Sequence, residues 1–192
     1  MNIQLKDISK SYNNTVVLNK IDIEIKEHQI TCIMGPSGVG KTTLIYILMG
    51  LVEADAGSIA GVSGKKFAAV FEENRLCEGI NAIKNVQLVC ENTITDLQIK
   101  KEFREVGLSE YENKPVAELS GGMKRRVAIV RALLPESDII IMDEPFKGLD
   151  EELKNQVINY VKYKTKGKTV IIITHDKEEV DTLSAKLIML MA

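Results

Sequence analysis

No stretch of this 192-residue chain is apolar for long enough to cross a bilayer. Its longest apolar runs, such as "IIIM" at residues 139–142, fall far short of the ~20 residues a membrane helix needs, and the opening "MNIQLKDISK" has no apolar signal core. The chain is therefore expected in the cytosol. Cysteine is scarce. Cys32, Cys77 and Cys90 are odd in number, far apart and in no C-x-x-C pair, so they are expected to be reduced packing residues and not a metal or disulfide set. Aromatics make up 5% of the chain and the net charge is −2, with no long basic block, so no nucleic-acid surface is indicated. Linkers rich in proline, glycine and serine are missing as well. With 45% hydrophobic and 27% charged residues, what is left is an ordinary folded chain of one domain, or of one domain carrying an inserted lobe.

The apolar pattern supplies the fold class. Ile3 and Leu5, Val16 and Leu18, then Ile21, Ile23 and Ile25 fall at strand period around the turn-like "YNNT", which suggests an antiparallel piece. "QITCIM" reads as a strand ending at Gly35, "TTLIYILMG" as a helix closed by Gly50, and "FAAVF" as another buried strand. From about Asn81 to Gly107 the pattern turns helical and polar, with Leu97, Lys100, Lys101 and Arg104 at helical spacings. Ser120 suits an N-cap, Val127, Val130 and Leu134 follow at helical intervals, and Pro135 stops the helix. The chain closes as strand, helix, strand, helix, strand, from "DIIIM" to "KLIMLM". Buried strands alternating with amphipathic helices predict a parallel sheet covered on both faces.

Two glycine turns carry the chemistry. "GPSGVGKTT", residues 35–43, completes the P-loop pattern with Gly35, Gly40, Lys41 and Thr42, between a strand and a helix as the pattern requires. Gly35, Pro36, Ser37, Gly38, Val39, Gly40, Lys41, Thr42 and Thr43 are thus the candidate phosphate cradle. Its backbone N–H groups face the anion, Lys41 adds a charge on the terminal phosphates and the Thr42 hydroxyl reaches Mg²⁺. A chance match in a chain of this length has a probability on the order of 1%. Asp143 and Glu144 end the strand "DIIIM", where α/β proteins bind ligands, so Asp143 can hold Mg²⁺ and Glu144 can polarise an attacking water. The second turn opens "LSGGMKRRVAIVRALL", residues 119–134, a basic, apolar-striped helix that also looks suited to a phosphate.

With these motifs followed by "IIIMDEP", "GLD" and "ITHD", the chain resembles the nucleotide-binding subunit of an ABC transporter over nearly its whole length. The resemblance implies an α/β fold: a P-loop NTPase core with a mostly parallel sheet, an N-terminal antiparallel β subdomain and an α-helical subdomain inserted at about 72–134, all in one domain over 1–192. It also accounts for the second cradle. Two subunits pack head to tail, and Ser120, Gly121 and Gly122 of one would meet the γ-phosphate of ATP held by the other. By the same resemblance Tyr12 would stack on adenine, Asp150 belongs to the dimer-contacting loop and His175 is the switch residue at the γ-phosphate.

Two positions depart from the family. Glu72 stands where glutamine usually contacts Mg²⁺ and the attacking water, and Lys147 where a small residue is more common. Glu72 is therefore a candidate metal and catalytic residue whose charge opposes closure unless it is protonated, turned away or salt-bridged. Its surroundings and Met123 look most like subunits of nitrate, sulfonate and taurine importers. The chain also resembles a compact version without a C-terminal regulatory domain. The expected function is an ATPase that binds ATP and Mg²⁺, dimerises with itself or a paired ATPase subunit, and powers import through integral permease subunits at the inner face of the membrane. The other class left open is a soluble ABC-type ATP switch on a macromolecular complex, although neither a second cassette nor a long coiled-coil insertion is present.

Overall fold

The computed structural model describes residues 2–90 and 94–191. Strands β1 (Ile3–Tyr12) and β2 (Thr15–Ile25) pair antiparallel, with Ile3 opposite Ile25 and Leu5 opposite Ile23. Asn13 and Asn14, at φ 49° and 65°, close the hairpin between them, as the right-handed twist of paired strands favours. Strand β4 (Ala56–Ala60) lies on the other side of β1 and was not anticipated. "AGSIA" offers one large apolar residue, Ile59, and takes its place through pairing with β1.

The second sheet has five parallel strands in the order β5-β6-β7-β3-β8, with β3 (Ile30–Met34), β5 (Phe67–Val70), β6 (Ile139–Asp143), β7 (Thr169–Ile173) and β8 (Lys186–Met189). Every residue of β6 and β7 is buried, which is why both read as continuous apolar runs. Alternate side chains feed two cores. Ile139 and Ile141 pack with Ile171, Ile173 and the hairpin, whereas Ile140 and Met142 pack with Val170, Ile172 and the helices between β5 and β6. The strand "FAAVF" is not a central one. It forms a sheet edge at which Val70 alone of the four β5 residues is fully covered.

Helix α1 (Lys41–Leu48) follows β3. Between β5 and β6 come α2 (Ala82–Gln87), α3 (Asp96–Glu105), a short 3₁₀ turn at Val116–Glu118 and α4 (Gly121–Leu133). The expected helical stretch is there, but Leu97 is 71% exposed and the buried stripe is instead Ile99, Phe103 and Val106. The remaining helices are α5 (Glu151–Lys164) and α6 (Lys177–Leu183). The cysteines divide. Cys32 is buried, its thiol pushed up to about 12 by desolvation, and Cys90 is half-buried, but Cys77 is exposed and not a buried packing residue.

Candidate nucleotide site

Strand β3 delivers the chain into the loop at residues 35–40, and two glycines there have no substitute. A Cβ on Gly35 would lie 2.3 Å from the Leu190 carbonyl oxygen; one on Gly40, at φ 96°, would lie 2.6 Å from a Leu18 methyl and 2.9 Å from the Val17 oxygen. Val39 anchors the loop in the core while Pro36, Ser37 and Gly38 stay exposed. Helices α2 to α6 each begin with a side-chain cap, from Asn81, Thr95, Ser120, Asp150 and Asp176. Helix α1 begins at Gly40, which has no side chain to offer. Its first-turn N–H groups therefore point their partial positive charge at the loop, where an anion could supply the missing acceptor. The Lys41 ammonium folds back across the loop, donating to the carbonyls of Gly35 at 2.8 Å and Pro36 at 2.9 Å. Thr43 is half-buried one turn along. Tyr12 stands exposed at the hairpin end, with the Lys10 amine 5.5 Å from its ring centroid.

The carboxylates arrive from the next strands. The Thr42 hydroxyl donates to Asp143 Oδ2 at 3.0 Å, joining the first turn of α1 to the end of β6. Asp143 is only 3% exposed, and burial pushes its carboxyl above the usual range despite that bond. Glu144 turns the chain off the strand in the left-handed region, φ 49°, with its N–H held by the Ile173 oxygen at 3.0 Å. This turn carries its carboxylate across to His175, whose Nδ1 lies 2.8 Å from Glu144 Oε1. An ionised carboxylate only accepts, so Nδ1 holds the proton, and the pairing lifts the His175 pKa. Behind them the Thr174 hydroxyl donates to buried Glu179 at 2.5 Å and accepts from the Asp176 N–H at 3.1 Å, and Lys154 pairs with Asp176 at 2.9 Å.

Glu72 is not bonded to the Thr42 and Asp143 pair. Its carboxylate accepts from the Lys147 ammonium at 2.8 Å, which holds its pKa below the usual range, so the two departures noted in the sequence face each other. Thr42 and Asp143 together present a hydroxyl and a carboxylate, the hard oxygens Mg²⁺ takes. Among the described residues no three His, Cys, Asp or Glu side chains are grouped to hold a metal, so a cation placed here would need further oxygens from phosphate or water.

The second glycine turn stands apart from the first. The Ser120 hydroxyl accepts from the Met123 N–H at 3.3 Å and so caps its own helix, and Ser120 and Gly121 are exposed. Gly122 lies against the loop before α5, where a Cβ would meet the Gly148 oxygen and Leu149 at 3.3 Å. Asp150 caps α5 by accepting from the Leu153 N–H at 3.0 Å.

Residues 18–147, more than half of the chain, match the ABC transporter family. This chain belongs to that family. It is 32% identical over 204 residues to the spermidine/putrescine import ATP-binding protein PotA of Mycoplasma capricolum, which covers 98% of this chain and 58% of that protein. The same-named protein of Clostridioides difficile is 33% identical, covering 98% and 59%. The chain thus spans less than two thirds of the length of these curated relatives. Among solved structures it is similar to the dimeric bacterial ABC transporter cassette MJ0796, with a TM-score of 0.87, 27% identity, and 98% and 94% of the two chains covered. The same cassette in a post-hydrolysis state bound to ADP and Pi gives 0.86 and 26% over the same shares.

In this ABC family member the arginines of α4 are turned onto main-chain carbonyls of neighbouring segments. Arg125, 5% exposed, donates to the carbonyls of Phe71 and Glu72, both at 2.5 Å. Arg126 donates to Val106 at 2.9 Å and Gly107 at 2.6 Å, and Arg131 to Arg75 at 2.8 Å and Asn74 at 3.2 Å. Each guanidinium fork satisfies two main-chain oxygens of a neighbouring loop. This role was not legible from the helix pattern. The available signal was crowding, because Lys124, Arg125 and Arg126 follow one another on a helix of mostly buried residues and cannot all reach solvent.

Proposed function

We propose that this chain binds and hydrolyses MgATP, dimerises on it, and powers import through separate permease subunits at the inner face of a membrane, with residues 72–134 as a lobe inserted in one domain. The observation that carries this reading is the convergence, at the carboxyl ends of the interior strands β3, β6 and β7, of an uncapped helix start with Lys41, the Thr42 and Asp143 bond, and the Glu144 and His175 pair. Lys41, now spent on two loop carbonyls, would turn to the β- and γ-phosphates, and the α1 N–H groups would take their oxygens. Thr42 and Asp143 would hold Mg²⁺, which neutralises phosphate charge. Glu144 would orient and deprotonate the attacking water while His175, its Nδ1 tied to Glu144, presents Nε2 toward the terminal phosphate. Tyr12 would meet the adenine, and Ser120, Gly121 and Gly122 would complete the site of a second subunit.

The solved neighbours' dimers and the relatives' import names support pairing and a permease partner. No described helix is long and apolar enough to cross a membrane, so the transport path would belong to other chains. The narrower likeness to nitrate, sulfonate and taurine importers rests on the residues around Glu72 and on Met123. The matched relatives carry the spermidine/putrescine name, so import, and not one solute, is what the two likenesses share.

The test is turnover against retention. Glu144→Gln should lower the Mg²⁺-dependent ATPase of the purified chain by roughly 10²–10⁴-fold while still binding ATP and shifting to a dimer on size exclusion. Unreduced hydrolysis in that variant would take the general base away from Glu144.

A further inference from the structure

Lys147 lies in the loop between Glu144 and α5, and its amine is a cation that acts electrostatically on the Glu144 and His175 pair but that no role above uses. Its backbone N–H donates to the Glu144 oxygen at 3.3 Å, and the loop's Phe146 is buried, so the base of the side chain is fixed. The tip is held by one exposed ion pair, to Glu72. Lys147 and Glu72 are about half exposed, and an exposed ion pair of this kind is weak and easily exchanged. The Glu72 side is fixed too, because Arg125 grips the carbonyls of Phe71 and Glu72.

One hydrogen bond, one peptide link and a charge effect connect the phosphate cradle with this amine. Thr42 in the first turn of α1 bonds Asp143, Asp143 precedes Glu144, and Lys147 acts electrostatically on both Glu144's partner His175 and Glu72. Asp143, Glu144 and Glu72 give this corner three carboxylates against the cations of Lys147 and Arg125, and Arg125 is committed to carbonyls. A triphosphate placed at α1 adds several negative charges beside a single carboxylate that now holds Lys147. A flexible, strongly charged ammonium on a four-carbon stem follows the larger charge.

We propose that Lys147 is a second nucleotide-binding cation, held in reserve by Glu72 when the site is empty and transferred to the terminal phosphate when ATP binds. This rests on the ATP reading above and assigns Lys147 a binding role at that same site. Glu72 then acts as the competitor that sets how readily Lys147 is released. A loop brace, the structural alternative, makes a different prediction. If the ion pair only stiffens the two loops, removing either partner has the same effect. If Lys147 is shared between Glu72 and phosphate, removing the two partners has opposite effects.

The experiment measures dissociation constants of the full chain for Mg²⁺ with a non-hydrolysable ATP analogue and for MgADP, in wild type, Lys147→Met, Lys147→Arg and Glu72→Gln. Lys147→Met should lower the preference for the triphosphate over the diphosphate by roughly 3–10-fold, and Glu72→Gln should raise it by roughly 2–5-fold. Lys147→Arg should stay near wild type. Both positions are exposed, so circular dichroism and melting should show all variants folded. A preference that moves the same way in Lys147→Met and Glu72→Gln, or does not move, overturns the inference and leaves the pair as a brace. If wild type binds neither nucleotide, the ATP reading falls and this inference falls with it.

Discussion

At the scale of the residue, His175 is where pH enters the site. Its bond to Glu144 raises its folded-state pKa above the ~6.5 of an unfolded histidine. A group raised in this way contributes its stabilisation fully below about pH 6.5 and loses it as pH climbs through the folded value. The His175 side chain is 70% exposed, so solvent screens the pair and the effect on stability is small. The titration itself is the better readout. Followed by NMR, His175 should titrate above the ordinary histidine value in the wild type and fall back toward it in Glu144→Gln. A titration that ignores the substitution would assign the shift to another neighbour. These two residues could be picked from the motif order, because each ends a strand in a recognisable string. The Glu72 and Lys147 pair could not, since 75 positions separate them and only the fold brings their loops together.

At the scale of the element, α4 shows which part of the sequence was legible. Ser120 as cap, Val127 and Val130 as buried stripe and Pro135 just beyond the end follow from spacing and steric rules, and all hold. Its arginines were opaque because their partners are main-chain carbonyls, which every residue carries and no pattern displays. Strand β4 was hidden for a related reason, since its pairing with β1 is main-chain work behind nearly featureless side chains. The clamp makes a prediction at this scale. Arg125→Met should cost about 1–3 kcal/mol in urea unfolding, as two carbonyls lose their donor and must find water. Arg125→Lys should fall between, because one ammonium does not reproduce a fork that meets two oxygens in one plane. Hydrogen exchange over residues 71–76 should quicken in both variants, and more in the methionine one. An unfolding midpoint equal to wild type would mean those carbonyls are already served by solvent.

At the scale of the whole molecule, the five-stranded sheet is the organiser. Its buried runs at β3, β6 and β7 were readable as strands, and their parallel pairing follows from the helices between them. The position of "FAAVF" at an edge was not readable, because a short apolar string looks the same at the centre of a sheet and at its rim. Placing β5 at the rim also puts the segment after it, with Glu72 and Cys77, at the surface between sheet and helices. Cys77 is exposed, and Asn85 brackets its main chain, accepting from its N–H at 2.8 Å and donating to its oxygen at 3.0 Å. Cys32 is buried within β3 of the sheet, with a thiol too weakly acidic to form a nucleophile near neutral pH, and burial also raises the Cys90 thiol. Iodoacetamide should therefore label Cys77 first, at least ~10-fold faster than Cys32, with Cys90 between them, as peptide mass mapping over time would show. Equal rates at Cys77 and Cys32 would mean the sheet opens faster than the reagent reacts. The exposed thiol thus gives the protein a native chemical stopwatch on the loop that Arg125 clamps and Glu72 occupies, readable during turnover with no engineered label.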